Sequence, residues 1–265
     1  MVNQHARAYR AWEILTSQAA KKNTITYETL ASRLGIHHRA VRFVLDLIQS
    51  YCLEQKLSPL TILVISKSTG LPGKGFIAWD ANSIPEGQEQ VFGSDWDRIQ
   101  NPFEFSADNT GYDSLVQSLV SRPENSEDIY TKVKVRGMAQ RVFRDALVKA
   151  YGGKCAFTGI SFCSALDSAH IIPWSKCEPR YKMDPRNGIL LSSFHHKLFD
   201  QGLITITEEY KIVYYDPDMN KHICSDFDKL LTVDLHMKSM KLPSNRDLLP
   251  HLDLIKQHNE ELEWI

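Results

Sequence analysis

Four side chains in the second half of the chain have the types and spacing to build a hydrolytic centre: His170, Asn187, His196 and Asp200. His170 lies in LDSAHIIPW, a short apolar run that reads as a strand stopping at Pro173. An imidazole there could act as a general base, because its unperturbed pKa of about 6.5 sits near the operating pH. In FHHKLFDQG, His196 and Asp200 are four residues apart, so a helix puts both on one face. An imidazole and a carboxylate suit one divalent ion, Mg2+ or Mn2+, with Zn2+ as the alternative. His195 competes for the ligand role, but on an ideal helix it points about 100° away from His196. Taken singly, each segment also has a structural reading. His170 could be a buried, hydrogen-bonded histidine, Asn187-Gly188 a turn, and HHKLFD an amphipathic helix with Phe194, Leu198 and Phe199 inward.

The order of the blocks narrows these readings. AHIIPW, RNGILL and HHKLFDQGL resemble the His-Asn-His (HNH, ββα-metal) endonucleases over about residues 136 to 206. They also resemble the variant found in bacterial proteins taken to be restriction endonucleases. The tail LPSNRDLLPHLDLIKQHNEELEW, with its Leu-Pro and late Leu…His pattern, extends the likeness more weakly. The resemblance implies phosphodiester hydrolysis in DNA, which needs an activated water, neutralisation of the phosphate and support for the departing 3′ oxygen. It implies His170 as the base, His196 as the third histidine of the motif, and Asn187 as a brace that orients the base through the loop backbone. His195 then falls to a phosphate or structural contact.

One position departs from the family. Many members carry a metal-binding Asp or His immediately before the base, where this chain has Ala169. Either water replaces that ligand or Asp167 does, although Asp167 and His170 fall on opposite faces of a strand and direct ligation would need a bend or bulge. The five cysteines (Cys52, Cys155, Cys163, Cys177, Cys224) form no CxxC pair, so they read as reduced thiols and the structural zinc of some relatives is missing.

The elements that must position these residues begin with RGMAQRVFRDALVKAYGG, a helix whose core face is Phe143, Ala146, Leu147 and Ala150 and which ends at Gly152-Gly153. From Lys132 to Lys154 there are seven basic residues against the single acid Asp145. Beside these motifs, Arg136, Arg141 and Arg144 are expected to contact DNA, with His195 and Lys197 from the later helix. Residues 105–131 are polar and read as a linker with a short helix around Leu115 to Val120. This gives a reading domain over 1–104 and a nuclease domain with flanking helices over 132–265.

In the first domain, Ala8, Trp12, Leu15 and Ala19 share a helical stripe. Thr26 reads as the N-cap of a helix ending near Gly35, and a second helix from about His38 to Tyr51 carries Val41, Val44, Leu45 and Ile48 inward. Arg39, Arg42 and Gln49 lie on its other faces, available to a partner, and Arg39 and Arg42 are expected to contact DNA. Leu60 to Ser66 then reads as a strand, and a glycine-punctuated loop leads to Phe76, Ile77 and Trp79 as a second strand, together a winged helix-turn-helix. ITYETLASRLG and AVRFVLDLI, over roughly residues 5 to 80, resemble alkyltransferase-like proteins, which bind DNA and flip a modified base. Active transferases carry Pro-Cys-His-Arg where this chain has Ile65, Ser66 and Lys67, so alkyl transfer is not expected. A helical protein-interaction module is the alternative.

The expected fold is therefore α+β: a winged helix-turn-helix-like domain, then a ββα-metal nuclease domain. Hydrophobic residues at 43% and charged residues at 24% fit a soluble globular protein, and no apolar run nears the roughly 20 residues of a membrane span. The amino terminus shows no signal-peptide core, so a cytoplasmic location is expected. The formal net charge of −1 is an average that leaves local basic patches open. HNH domains usually cut one strand per site, so a homodimer is expected if both strands are cut. A non-cleaving DNA-binding regulator with a degenerate nuclease fold is the alternative function; a repair or mobile-element nuclease is not separable by sequence.

Overall fold

The computed structural model describes residues 2–217 and 225–264; Cys224 lies outside them. The chain divides into two compact units, Met1–Tyr112 with Val133–Met138, and Asp113–Lys132 with Ala139–Ile265. No helix among the described residues is long and apolar enough to cross a membrane.

The first unit opens with α1 (Gln4–Ala20), capped by the Asn3 side chain and burying Ala8, Ala11, Trp12, Leu15 and Ala19. A two-residue strand β1 (Ile25–Thr26) leads into α2 (Tyr27–Leu34), where the Thr26 hydroxyl accepts from the Thr29 amide. Gly35 ends α2 at φ +66°, a left-handed conformation that glycine adopts without strain. After a 3-10 turn at His38–Ala40, α3 (Val41–Glu54) buries Val41, Val44, Leu45 and Ile48. The two helices and the glycine turn thus form as their spacing predicts.

The expected wing does not. Leu60–Leu63 is a 3-10 turn buried at every position, and only Val64–Ile65 (β2) is extended, pairing in parallel with β1. Phe76, Ile77 and Trp79 form no strand. Side chains of the two helices take the hydrogen bonds that a second wing strand would have made. The Tyr27 hydroxyl accepts from the Gly73 amide at 2.9 Å, while Gln49 accepts from Ile77 N at 3.1 Å and donates to Gly75 O at 3.3 Å. Gln49, expected on an outward face, is buried for that reason. α4 (Ile84–Phe92) follows in the same unit.

The stretch expected as a linker carries α5 (Tyr112–Ser121) and α6 (Ser126–Val133). Leu115, Val116 and Leu119 make a buried helical stripe that its polar composition masks. α7 (Arg136–Ala150) follows.

In the second unit, β3 (Leu166–His170) and β4 (Gly188–Ser192) pair antiparallel without interruption, with His170 opposite Gly188 and Asp167 opposite Leu191. α8 (Ser193–Asp200) starts directly from β4, capped by Ser192, so strand, strand and helix run in the ββα order. A second hairpin, β5 (Ile204–Ile206) with β6 (Ile212–Tyr214), precedes α9 (Asp226–Leu231) and α10 (Leu252–Glu261). One apolar cluster containing Phe143, Leu147, Ala169, Ile189, Phe199 and Ile255 holds these elements together. Leu198 packs against it, but Phe194, expected inward, is exposed. The fold class is α+β.

Candidate active site

His170 ends β3, half-buried, with its ring stacked on Phe143 of α7 at 4.1 Å and the edge of Trp174 at 5.7 Å. Its Nε2 lies 3.0 Å from the Lys182 carbonyl. A carbonyl can only accept, so Nε2 carries the proton and, in the neutral ring, the lone pair resides on Nδ1. That tautomer is the one a general base needs at Nδ1.

Asn187 is fully buried. Its Oδ1 accepts from Ile172 N at 2.9 Å, and its Nδ2 donates to Ile172 O and Tyr181 O, both at 3.1 Å. The side chain thereby ties the two ends of the long β3–β4 loop together. Tyr181 directly precedes Lys182, whose carbonyl orients His170. Asp184 supports the same loop through the Arg186 amide at 2.9 Å and a bidentate pair with the Arg186 guanidinium, Nε to Oδ1 at 3.0 Å and Nη2 to Oδ2 at 2.6 Å.

Gly188 must be a glycine for space. A Cβ there would stand 2.5 Å from Phe143 Cζ and 2.7 Å from Leu147 Cδ1. Gly188→Ala should therefore displace the ring on which His170 stacks and lower unfolding stability by about 1–3 kcal/mol. Urea denaturation of the two chains measures this; equal stabilities would show that Phe143 moves aside at no cost.

His196, on α8, lies between two carboxylates: Nδ1 is 3.5 Å from Asp167 Oδ2 and Nε2 is 3.4 Å from Asp200 Oδ2. Asp167 reaches it across the sheet with no bulge, on the face of β3 opposite His170. The carboxylates meet opposite edges of the ring. Among the described residues no three His, Cys, Asp or Glu side chains are placed to hold one metal ion. The donor chemistry fits a divalent cation as a pair, His196 with one of the two aspartates, the remaining positions falling to water and phosphate oxygens. Ala169 is fully buried and supplies no donor.

Other expected contacts are distributed differently. His195 is 0% exposed, with Nδ1 2.7 Å from Ser192 Oγ and Nε2 2.9 Å from the Leu231 carbonyl. It is therefore a buried histidine with both ring nitrogens engaged within the fold, not the surface side chain its sequence position suggests. Arg144 donates to the carbonyls of Cys163 and Leu166, each at 3.1 Å, and so anchors the start of β3. Arg141 is half-buried on α7, whereas Lys197, Arg136, Arg39 and Arg42 are exposed. The Arg42 guanidinium lies over the Phe43 ring at 4.5 Å.

Sequence reasoning missed Lys182, Trp174 and His258. No motif marks Lys182, which acts through its backbone. His258 falls within the tail pattern but had no role; it is buried in α10, and burial holds its pKa below the ordinary histidine value against the hydrogen bond to Ile171. The first unit holds a separate cavity of about 220 Å3 lined by Tyr27, Arg42, Asp46, Gln49, Thr61 and Phe76. The Thr61 hydroxyl is buried and has no partner among the described residues.

No curated protein matches this chain. Residues 155–207, which contain His170, Asn187, His196 and Asp200, match the family model for HNH endonuclease, so the chain carries an HNH endonuclease domain over that segment.

Proposed function

We propose that this chain is a divalent-metal-dependent DNA endonuclease of restriction or defence type, with His170 as general base. The observation that carries the reading is the His170 ring: the Lys182 carbonyl sets its tautomer, and Asn187 clamps the loop that presents this carbonyl. Nδ1 of His170 would take a proton from the attacking water. His196 with Asp200 or Asp167 would hold the ion, which when bound would neutralise phosphate charge and support the departing 3′ oxygen. Exposed Lys197 and the half-buried Arg141 are suited to the flanking phosphates.

The first unit would read DNA, with Arg39 and Arg42 on the phosphates and the cavity at Tyr27 and Thr61 accepting an extruded, modified base. Two copies would be needed to cut both strands, which makes a homodimer the assembly to look for by sedimentation. Clean double-strand breaks from a monomer would remove that part of the reading. The site of action would be cytoplasmic.

The test is a supercoiled plasmid incubated with the full chain and Mg2+ or Mn2+. Nicked or linear DNA should form, a chelator should stop it, and His196→Ala should slow cleavage and raise the ion concentration needed for it. Comparing modified with plain DNA probes the reading unit, and equal cleavage would remove the modified-base proposal. A second reading, a DNA-binding regulator that does not cut, is favoured by the buried Ala169, which stands immediately before the candidate base and offers no metal ligand. Plasmid left intact by every divalent ion, while still bound, would establish that reading instead.

A further inference from the structure

α10 lies beyond the segment that matches the endonuclease family, yet one of its side chains touches both halves of the candidate site. His258 Nδ1 is 2.9 Å from the Ile171 carbonyl, so it donates a proton to the residue directly after the base. The same ring stacks face to face on Phe199 of α8, 4.3 Å between centroids and 5° between planes. Phe199 lies between His196 and Asp200 in sequence and is itself 1% exposed.

The contact at Ile171 completes a set. Ile171 N donates to the Asn187 carbonyl at 2.9 Å, and both polar backbone groups of Ile172 bond the Asn187 side chain. Asn187 thus accounts for three of the four backbone groups that follow His170. The fourth, the Ile171 carbonyl, is held by His258. α10 itself is anchored independently, because Asn259 accepts from the Thr205 hydroxyl at 2.6 Å and donates to Ile206 O at 2.9 Å.

We infer that His258 is a positioning residue for phosphodiester cleavage, holding the strand that bears His170 in fixed register with the helix that bears His196 and Asp200. The inference rests on the nuclease reading for its kinetic consequence but not for its structural one. A shift of about 1 Å between a base and the phosphate it serves costs on the order of 100-fold in rate. Binding of DNA, which depends on surface cations, is untouched by such a shift.

His258 Nε2 has no partner among the described residues, so the donor at Nδ1 and the ring face are the two features to separate. His258→Phe keeps an aromatic face for Phe199 and loses the donor; His258→Asn keeps a donor and loses the stacking. Thr205→Val removes one of the two side-chain hydrogen bonds of Asn259 and leaves its bond to Ile206 O and both His258 contacts in place. In the full chain, below the unfolding temperature of every variant, His258→Phe should lower kcat by about 10- to 100-fold with KM unchanged. His258→Asn should regain part of that loss, and Thr205→Val should leave kcat at the wild-type value. Wild-type kcat in His258→Phe, or an equal kcat loss in Thr205→Val, overturns the inference. Amide hydrogen exchange needs no activity. His258→Phe should speed exchange at Ile171 and Ile172, and unchanged exchange overturns the inference as well. Absence of cleavage by the wild type, with exchange altered as expected, would defeat only the nuclease reading and leave the clamp standing.

Discussion

His170→Ala should lower the rate of DNA cleavage by about 100- to 10,000-fold, the usual contribution of a positioned general base, while the chain stays folded and binds DNA as before. The expectation follows from how the ring is held. Its Nε2 proton is committed to the Lys182 carbonyl at 3.0 Å, and its face lies against Phe143, so Nδ1 has one fixed direction. Alanine removes the base and one hydrogen bond at a half-buried position, a loss of about 1 kcal/mol in stability. The residual rate is what bound metal and phosphate contacts would supply without a base. Single-turnover cleavage of plasmid, with binding measured in parallel, separates a loss of chemistry from a loss of affinity. A fall in affinity with an unchanged single-turnover rate would move His170 from catalysis to binding.

The largest effect on stability is expected from Asn187→Ala. The change leaves Ile172 N, Ile172 O and Tyr181 O without their side-chain partner, in a place that is fully buried at Asn187 itself. Each orphaned buried group costs about 1–3 kcal/mol, and Tyr181 is half-buried, so water can compensate part of its share. Unfolding free energy should drop by about 3–5 kcal/mol. Asn187→Asp should not rescue it, since a carboxylate offers no donor to the carbonyls of Ile172 and Tyr181. Denaturant titration measures both variants; a loss below about 1 kcal/mol would mean that the loop finds other partners and that Asn187 is not its clamp.

Much of this site was legible where the deciding contacts are local. His196 and Asp200 share a helix face, and Thr26 and Gly35 bound α2, because each depends on residues within one or two turns. Burial separates His195 from His196, and that depends on the Leu231 carbonyl 36 residues on, which leaves no mark on two adjacent histidines. Asp167 meets His196 only through the pairing of β3 with β4 and the path of α8. The wing failed for a related reason: LTILVIS is apolar enough for a strand, but Tyr27 and Gln49 supply its loop with hydrogen bonds from far along the chain. Arg144 looked like one more cation in a basic stretch, yet its guanidinium serves two backbone carbonyls. Lys182 acts through a main-chain atom that any residue could offer, so no side-chain pattern could have revealed it.

If the imidazole of residue 170 takes the proton, imidazole supplied from solution should restore cleavage to a chain that lacks it. His170→Ala would be assayed on supercoiled plasmid with Mg2+ or Mn2+, without and with added imidazole. The space vacated between Phe143 and Trp174 can admit the free base. The variant should nick slowly and be accelerated by imidazole, with no such acceleration in the wild type. His170→Ala nicking at the wild-type rate with no imidazole present would contradict the role of His170 as the base.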